Sequence, residues 1–458
     1  MLLLLAVVAV LGGWYFGARA KGDDRELPVY VAGGERMAAG AEIYRRQAGP
    51  GVDADKKPFT YPPFAAAPFV PYALLPAAWQ APLWFVVNFV IVLGLARWLH
   101  RHAGRADPAL GPPRPVAFWL LVGVVGGRHV ASVFTNQSHD LIVAGLLGLA
   151  AAAWARGRAR AGAWVGLAAA FKATPLLLLG LFGLRRRWLA VALLLAAAVG
   201  ATLLPDWLLP RSDGGSWVVA WFERTLRGLD GGAAKAEGAW DSHSFLNQSL
   251  GGTFVRLFQP SQSAAKFVLG EPGTTLLAPL PAGVYRAVLH GAQLAVLAAL
   301  TLATLRAATA VREAGRSSAG GAFGVGNAVG APGAGNAVNA GDAVGAAAVR
   351  RTVALGEVGA FACGMLLLSP MSSKSHFCVW VFPVAFLAEG VLRGRRDALA
   401  TALFVAAAVV GLLAKDLLGK SLGNVVLAYG NATWATVLLL LATVRQLGIE
   451  ARAAGAAR

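Results

Sequence analysis

The sequence RGRARAGAWVGLAAAFKATPLLLLGLFGLRRR, residues 156–187, decides the fold class. Arginines flank an apolar segment, 161–184, which is interrupted at Lys172 and at the helix breaker Pro175. A membrane-spanning helix needs about 20 mostly apolar residues, and Lys and Arg are retained in cytoplasmic connectors. Because broken backbone is tolerated where it lines a cavity, arginines at both ends favour two half-helices that fold back at membrane depth. One full span is the alternative.

The composition supports a membrane protein along the whole chain. Of the 458 residues, 57% are hydrophobic and 14% are charged, whereas soluble domains carry about 25% charged residues. This balance excludes a soluble enzyme and a disordered chain. The 41 Lys and Arg against 23 Asp and Glu give a net charge of +18. In a soluble protein that excess would indicate nucleic acid; here we expect it to reflect topology, and we expect no nucleic-acid partner.

We expect an all-α polytopic membrane protein with about 10–12 transmembrane helices, one re-entrant or broken helix pair and two large extracytoplasmic loops. The spans are predicted near residues 2–18, 82–99, 116–134, 139–155, 187–204, 286–305, 353–368, 376–392, 399–414 and 426–443. The first span is followed by Ala18-Arg19-Ala20, which resembles a signal-peptide cleavage site. It lacks a basic n-region, so we favour an uncleaved span.

The arginines predict the orientation of these spans. With the N-terminus inside, the cytoplasmic connectors contain Arg97, Arg101, Arg105, Arg114, Arg156, Arg158, Arg160, Arg185–Arg187, Arg306, Arg312, Arg316, Arg350, Arg351, Arg393, Arg395, Arg396, Arg445, Arg452 and Arg458. Loops 19–81 and 205–285 then lie outside. The predicted units are a membrane domain, 1–306, a flexible cytoplasmic Gly/Ala-rich linker, 307–350, C-terminal membrane helices, 351–445, and a cytoplasmic tail, 446–458.

With this topology, unusual polar residues gather on the extracytoplasmic side. They lie in DDRELPVY (23–30), TNQSHD (135–140), WDSHSFLNQSL (240–250) and SPMSSKSH (369–376). Ionisable groups at or near membrane depth are costly and are therefore functional candidates. Lys172 in particular needs a partner or a ligand. The two cysteines, Cys363 and Cys378, lie in apolar runs and indicate neither a disulfide framework nor a metal site.

The ordered set of these motifs resembles a known family. Glu26-Leu27-Pro28-Val29-Tyr30, then 41–44 (AEIY) and 61–64 (YPPF), are similar to the first-loop signature of the bacterial membrane glycosyltransferases of family 87. Segments 137–140, 171–176, 247–250 with Arg256, and 368–376 are similar to later parts of that family. The resemblance runs from about residue 1 to 445, linker excluded. It implies a GT-C fold and a polyprenyl-phosphate sugar as donor.

Transfer of this kind needs a base for the acceptor hydroxyl and cationic groups for the leaving phosphate. The family's first-loop acid is usually an aspartate before Leu/Phe-x-Val-Tyr; here Glu26 holds that position and Asp24 competes with it. The candidates for donor phosphate binding are His376, Lys374, Lys172 and Arg256. Lys172 ranks below His376, because a hairpin entering from the cytoplasm reaches the outer face only through a deep cavity. The sugar or acceptor candidates are Tyr30, Tyr61, Asn136, Gln137, Asn247 and Gln248.

The resemblance thus predicts an inverting hexosyltransferase, with mannose the favoured sugar, acting on an extracytoplasmic lipid or glycan. It would lie in a bacterial inner membrane with its active site facing outward, and its partners would be the donor, a glycolipid or glycan acceptor and membrane lipids. We expect no cofactor; a divalent metal is compatible with the chemistry, but no ligand spacing indicates one. A lipid or solute transporter and a surface polysaccharide polymerase or ligase are the alternative functions.

Overall fold

The computed structural model describes residues 12, 25–44, 58–103, 115–230, 233–234, 242–261, 273–323, 334–395 and 397–456. Asp24 and, apart from Gly12, the predicted span 2–18 lie outside the described residues. The choice between Glu26 and Asp24 therefore stays a prediction.

The described residues are helical almost throughout, which confirms the all-α class. The α-helices are α1 (Leu27–Ala38), α2 (Phe69–Ala73), α3 (Ala77–Ala103), α4 (Pro115–Asn136), α5 (Asp140–Ala155), α6 (Ala161–Phe171), α7 (Leu178–Leu184), α8 (Trp188–Leu208), α9 (Trp217–Arg224), α10 (Leu250–Phe258), α11 (Ala282–Phe323), α12 (Ala334–Leu368), α13 (Val381–Leu392), α14 (Ala398–Leu412), α15 (Lys415–Ala428) and α16 (Asn431–Ala456). Short 3-10 helices lie at Pro63–Ala65, Thr174–Leu177, Leu226–Gly228 and His376–Trp380. A two-residue antiparallel pair joins β1 (Leu229–Asp230) to β2 (Ala233–Ala234).

Six of the described helices are long and apolar enough to cross a membrane: α3, α4, α8, α11, α12 and α16. The bent pair of α14 and α15, which meet at 81°, counts as a seventh if it forms one broken span. The predicted spans 139–155 and 376–392 correspond to shorter apolar helices. These begin at Asp140 and His376, which are buried within the bundle. The described helices therefore give fewer full spans by length than the sequence predicts.

One end of the bundle carries the arginine-rich connectors. Arg187 Nη2 donates a hydrogen bond of 2.7 Å to Gly157 O, which joins the turn after α5 to the start of α8. Arg306 Nη1 donates to Val444 O at 2.7 Å and so joins α11 to α16. We call this the arginine end and the opposite end, which holds loop 369–376, the site end. Connectors that the charge pattern assigns to one side thus lie together.

The segment 161–184 is broken in the middle, as predicted. After α6, Lys172 adopts extended angles (φ −157°, ψ 119°), and a 3-10 turn at Thr174–Leu177 leads into α7. Because Arg187, just after α7, contacts Gly157, just before α6, both ends of the segment lie at the arginine end. This geometry agrees with the re-entrant pair and differs from one full span. Lys172 is at the tip of the hairpin.

A buried cluster holds the base of this hairpin against α12. Trp154 Nε1 donates to Glu357 Oε2 at 2.7 Å, and Arg185 Nη1 lies 3.4 Å from Glu357 Oε1. The guanidinium groups of Arg185 and Arg187 each lie 5.7 Å from the centre of the Trp154 ring. A buried carboxylate persists when it is paired. The hairpin is therefore anchored at the arginine end, and this positions its tip at the site end.

The predicted linker 307–350 is shorter than the sequence indicates. α11 continues to Phe323, and α12 begins at Ala334. Ala307 and Ala310 are fully buried and belong to the main hydrophobic core. The difference has a physical reason: alanine has the highest helix propensity, and small side chains allow close packing of neighbouring helices. The glycine-rich composition concealed both helix ends.

The two large predicted loops contain short, well-packed helices. In the first, Tyr30 and Met37 of α1 are buried, as is Phe69 at the start of α2. In the second, Ser216 caps α9 by accepting hydrogen bonds from the backbone of Val218 and Val219, and Trp217 is fully buried. These segments cover the site end of the bundle. They place residues of both loops against the membrane helices.

We expect Gly166→Leu to destabilise the protein, because α6 and α8 pack closely there. A Cβ atom at Gly166 would lie 2.8 Å from Ala197 Cβ and 2.9 Å from Ala198 N. Overpacking of this kind costs about 1–3 kcal/mol. The measurement is the melting temperature of the purified protein in detergent. Gly200→Leu in α8, where nothing lies within 4 Å, is the control, and equal melting temperatures for the two variants would contradict the packing.

Candidate active site

The site begins with Asp140, the first residue of α5. Ser138 Oγ donates a hydrogen bond of 2.9 Å to Asp140 Oδ2. A carboxylate in the first turn of a helix is stabilised by the helix dipole. The preceding turn requires a positive φ of 54° at Gln137, and Trp84 Nε1 holds that turn by donating to Gln137 O at 3.0 Å. Asp140 is therefore firmly positioned at the site end.

Lys172 at the tip of the hairpin forms an ion pair with this aspartate. Its Nζ atom lies 2.9 Å from Asp140 Oδ1, and the exposed fractions of the two side chains are 13% and 6%. A lysine on a hairpin that starts at the arginine end thus reaches the pocket that His376 also lines. The ranking of Lys172 below His376 as a phosphate ligand stays a prediction.

His376 completes this group from the other side. Its Nδ1 atom accepts a hydrogen bond of 3.1 Å from the backbone N–H of Ser373. A neutral imidazole that accepts at Nδ1 carries its proton on Nε2. That Nε2 atom lies 3.9 Å from Asp140 Oδ1, beyond hydrogen-bond distance. The Nε2–H group therefore remains a donor toward the pocket.

These three residues line one pocket. Its other walls are hydroxyl-bearing and apolar: Thr174, Ser369, Ser372, Val143, Met365, Leu366 and Val379. An ammonium group and an imidazole N–H thus face a common space, whereas the hydroxyls of Ser369 and Ser372 donate to the backbone oxygens of Met371 and Leu366. Such a set of donors suits an anionic oxygen-rich group, for which charge-assisted hydrogen bonds are the strong ones.

Glu26 lies beside this group at the start of α1. Its backbone N–H donates to Asn136 O at 3.0 Å, which ties the first loop to the turn before α5. Its carboxylate Oε2 accepts hydrogen bonds from Tyr30 Oη at 3.1 Å and from Tyr61 Oη at 3.4 Å. Glu26 is half-buried, and so its carboxylate combines fixed geometry with access from outside.

His139 links the two halves of the site. Its Nδ1 atom lies 2.7 Å from Tyr30 Oη, and its ring lies edge-on to Tyr61 with 4.3 Å between ring centres. Since His139 precedes Asp140 directly, the arrangement runs from Glu26 through Tyr30 to the Asp140–Lys172 pair. We call Glu26, Tyr30, Tyr61, His139, Asp140, Lys172 and His376 the site cluster.

Burial, and next the negative charge of Glu26, raise the pKa of both Tyr30 and Tyr61 well above the ordinary value. For Tyr30 the neighbouring Tyr61 and Asp140 add to this effect. Both phenols therefore stay protonated across the physiological range and act as hydrogen-bond donors. This supports a role in orienting the Glu26 carboxylate.

Asn247 and Gln248, predicted to contact sugar, instead bind the protein backbone. Asn247 Nδ2 donates to Pro370 O at 3.0 Å, and Asn247 Oδ1 accepts from the N–H of Ser372 at 3.1 Å. Gln248 Nε2 donates to Leu427 O at 2.6 Å. Both amides are buried. They join the second loop to loop 369–376 and to α15, so that they position the site.

Arg256, predicted to bind phosphate, is also engaged by the protein. Its Nε donates to Ala428 O at 2.8 Å, and its Nη1 donates to Ser244 O at 2.8 Å and to Asn247 O at 2.7 Å. Burial lowers the pKa of Arg256 to about 9. A guanidinium with its donors turned to backbone carbonyls has a structural role. The sequence shows that a cation is present at this position, but it does not show which groups its N–H donors bind.

The remaining candidates lie around the site cluster. Lys374 Nζ lies 3.2 Å from Asp416 Oδ2 and is absent from the lining of the pocket. Asn136 contributes its backbone oxygen to Glu26, and its side chain donates weakly to Ser132 Oγ at 3.4 Å. Gln137 contributes its backbone oxygen to Trp84. These polar residues shape the turn that carries the site.

Asp140 and His139 are the site residues that sequence reasoning missed. The turn TNQSHD is rich in polar residues, and its amides, Asn136 and Gln137, are the predicted ligands, whereas the acid that begins the next helix lies in the pocket. The signal was available: an acid heading an apolar helix and a lysine at a helix break both need a partner. Among the described residues, no three His, Cys, Asp or Glu side chains come together as a metal site.

We expect Asp140→Asn and Lys172→Met each to lower the melting temperature, because each leaves one buried charge without its partner. Breaking a buried pair costs about 3–5 kcal/mol. The double variant removes both charges and should recover part of the loss, with a coupling energy of about 1–3 kcal/mol. Thermal unfolding of the four proteins in detergent measures this cycle, and purely additive losses would show that the two side chains do not interact.

Arg256→Lys tests the structural role of this guanidinium. Lysine keeps the charge but loses the planar set of donors, so we expect a loss of stability of about 1–3 kcal/mol from unsatisfied carbonyls. The melting temperature in detergent checks the expectation. Arg286→Lys, on an exposed position of α11, is the control. An unchanged melting temperature for Arg256→Lys would return this residue to the phosphate candidates.

Comparison with known proteins places this geometry in a family. The model of glycosyltransferase family 87 matches residues 59–325, a range that includes Asp140 and Lys172. No solved structure matches the chain.

Two curated relatives are similar to part of the chain. Each is a polyprenol-phosphate-mannose-dependent alpha-(1-2)-phosphatidylinositol pentamannoside mannosyltransferase. The protein of Mycolicibacterium smegmatis is 32% identical over 212 residues, 45% of this chain and 48% of the relative. The protein of Mycobacterium tuberculosis is 31% identical over 214 residues, 44% of this chain and 47% of the relative. The match covers about half the length of each of these relatives. Since the family match covers more than half of the sequence, the chain belongs to glycosyltransferase family 87.

Proposed function

We propose that this glycosyltransferase transfers mannose from a polyprenol-phosphate donor to a glycolipid acceptor. The observation that carries the proposal is the site cluster: a fixed carboxylate, Glu26, is joined through Tyr30 and His139 to the residues of a pocket with a lysine and a histidine N–H. Family membership supports sugar transfer rather than transport. The names of the curated relatives support the donor, and they support a lipid that already carries mannose as acceptor.

The proposed reaction is a single in-line displacement with inversion. The acceptor oxygen forms a bond to the anomeric carbon of the donor sugar, while the bond from that carbon to the phosphate oxygen breaks. The electron pair of the broken bond leaves with the phosphate, and the proton of the acceptor hydroxyl passes to Glu26. Tyr30 and Tyr61 orient the receiving carboxylate through their hydrogen bonds to Oε2. A positioned base of this kind contributes about 10²–10⁴-fold to rate.

Negative charge that develops on the leaving phosphate needs donors placed in advance. Lys172 Nζ and His376 Nε2 supply them in this proposal. Asp140 directs the lysine ammonium through their ion pair. Asp140 is less suited to be the base, because one of its oxygens binds Lys172 and the other accepts from Ser138.

The side of the membrane follows from the charge pattern. Arginine-rich connectors lie at the end of the bundle opposite the pocket, and such connectors are cytoplasmic in most membrane proteins. The site cluster would then face the extracytoplasmic side of a bacterial inner membrane. Alkaline phosphatase fusions after α4 and after α5 test this: we expect activity at the first junction and none at the second, and the reverse result would invert the topology.

Transfer of radiolabelled mannose from polyprenol-phosphate-mannose, in membranes containing each variant, tests the proposed reaction. We expect Glu26→Gln to lose at least about 100-fold in rate, because an amide accepts no proton. Glu35→Gln is the matched control, since Glu35 lies exposed on the same helix. Asp24→Asn and Asp140→Asn, the rival bases, complete the set.

Each outcome of this assay decides a point. Loss confined to Asp24→Asn would move the base to the competing acid, and full activity of Glu26→Gln would refute the assignment. If Lys172→Met raises the KM for the donor, and the double variant with Asp140→Asn still raises it while recovering part of the lost stability, the phosphate role gains support. Absence of mannose transfer by the wild-type protein from any polyprenol-phosphate sugar would refute the proposed function itself.

A further inference from the structure

A second group of cations lies at the site end, on the other side of loop 369–376 from the pocket. Arg128 Nη2 and Lys374 Nζ lie 4.0 Å and 3.2 Å from Asp416 Oδ2. Lys374 and Lys420 lie within electrostatic range of Lys415. We call Arg128, Lys374, Lys415 and Lys420 the basic patch. The carboxylate that contacts it is Asp416, so the patch carries an excess of positive charge.

The position of the basic patch is set by the same segments that build the site. His129 Nδ1 lies 3.0 Å from Lys374 O, and this contact fixes loop 369–376 to α4. Lys415 Nζ lies 4.9 Å from the centre of the Phe245 ring in the second loop. The patch therefore shares one loop with His376 and adjoins the segment that carries Asn247. It lies next to the reaction centre without lining the pocket.

The helix that contributes the lysines is shaped for a membrane surface. α15 meets α14 at 81° and is kinked at Gly419, where φ is 74°. Its apolar residues Leu417 and Leu422 are 68% and 52% exposed. A short helical segment that exposes leucines together with lysine suits the boundary between lipid headgroups and acyl chains. We therefore expect the basic patch at the depth of lipid phosphates.

The cationic groups of the basic patch can still bind an anion. Lys374 is 46% exposed and Asp416 is 69% exposed, so their pairing is a solvent-accessible one of small net energy. Arg128 donates one hydrogen bond, from Nη1 to Gly411 O at 2.7 Å, while its buried Nε has no partner among the described residues. A phosphate oxygen that reaches these groups would replace weak contacts with charge-assisted ones.

We propose that the basic patch binds the phosphodiester of an anionic glycolipid, the acceptor of the transferred sugar. This rests on the proposed function for the identity of the lipid. Two phosphates must be held in that reaction. The donor phosphate is bonded to the reacting carbon and belongs in the pocket, whereas the acceptor phosphate is separated from the reacting hydroxyl by the acceptor's own sugars. A second cationic site, displaced from the pocket and level with lipid headgroups, meets that requirement.

Lipid binding to the purified, detergent-solubilised protein tests the site without depending on catalysis. Native mass spectrometry compares phosphatidylinositol, whose phosphodiester gives a net negative headgroup, with phosphatidylcholine, whose choline neutralises the same group. We expect wild type to bind phosphatidylinositol at least about tenfold more tightly, since each lysine near a membrane anion contributes about fivefold. Lys415→Gln with Lys420→Gln should bring the two lipids within about twofold.

Two further variants keep the result interpretable. Arg286→Gln removes an exposed cation at the start of α11, also at the site end, and should leave the preference intact. Lys420→Gln alone, at an exposed position, covers the case in which the double variant fails to fold, and it should lower the preference severalfold. A preference for phosphatidylinositol that survives in both lysine variants would overturn the proposal.

The KM values for donor and acceptor identify which lipid the basic patch binds. In the mannose-transfer assay, the lysine variants should raise the KM for the glycolipid acceptor about tenfold or more while the donor KM and kcat stay unchanged. A raised donor KM would assign the patch to the donor phosphate and overturn the proposal. Altered lipid preference with an unchanged acceptor KM would overturn the acceptor assignment. Failure of wild type to transfer mannose would refute the proposed function and leave the lipid-binding result standing by itself.

Discussion

The ion pair between Lys172 and Asp140 is the interaction on which the site end depends. A lysine at the tip of a broken helix within a membrane bundle is costly unless it meets a partner, and Asp140 meets it at 2.9 Å. The pair joins the hairpin to α5 and brings His376 to the same pocket. Without it, neither the break in 161–184 nor the acid at the head of an apolar helix would be stable. The polar cavity forms where these two buried charges, Lys172 and Asp140, are paired.

Polar contacts at the opposite end and in the second loop make this arrangement rigid. Glu357, Trp154 and the arginines of 185–187 anchor the base of the hairpin. Arg256, Asn247 and Gln248 bind backbone carbonyls of neighbouring segments. In a bundle whose helices are apolar, hydrophobic burial alone does not select one arrangement, because lipid solvates the same side chains equally well. Directional hydrogen bonds supply the specificity.

Much of the fold could be predicted from local patterns in the sequence. The apolar helices, the break at Lys172 and the grouping of arginines depend on composition over short windows, and the structure agrees with their presence, although fewer of the described helices are long enough to be full spans. The directions of polar side chains could not be predicted. Asn247 and Arg256 have the residue types of ligand-binding groups, yet they face backbone carbonyls. Asp140 has the residue type of a helix cap, yet it is the centre of the pocket.

The amino-acid sequence by itself determined that this is a helical membrane protein, which end of the bundle holds the arginines and which motifs carry chemistry, because hydrophobicity and charge act through the surrounding solvent and lipid. Only the tertiary structure decided which of those motifs meet. Glu26, His139 and Asp140 lie together with Lys172 and His376 because four separate segments of chain converge, and such convergence depends on packing over long sequence distances. The physical reason is that an ion pair or hydrogen bond requires atoms within about 3 Å, a condition that no local pattern specifies.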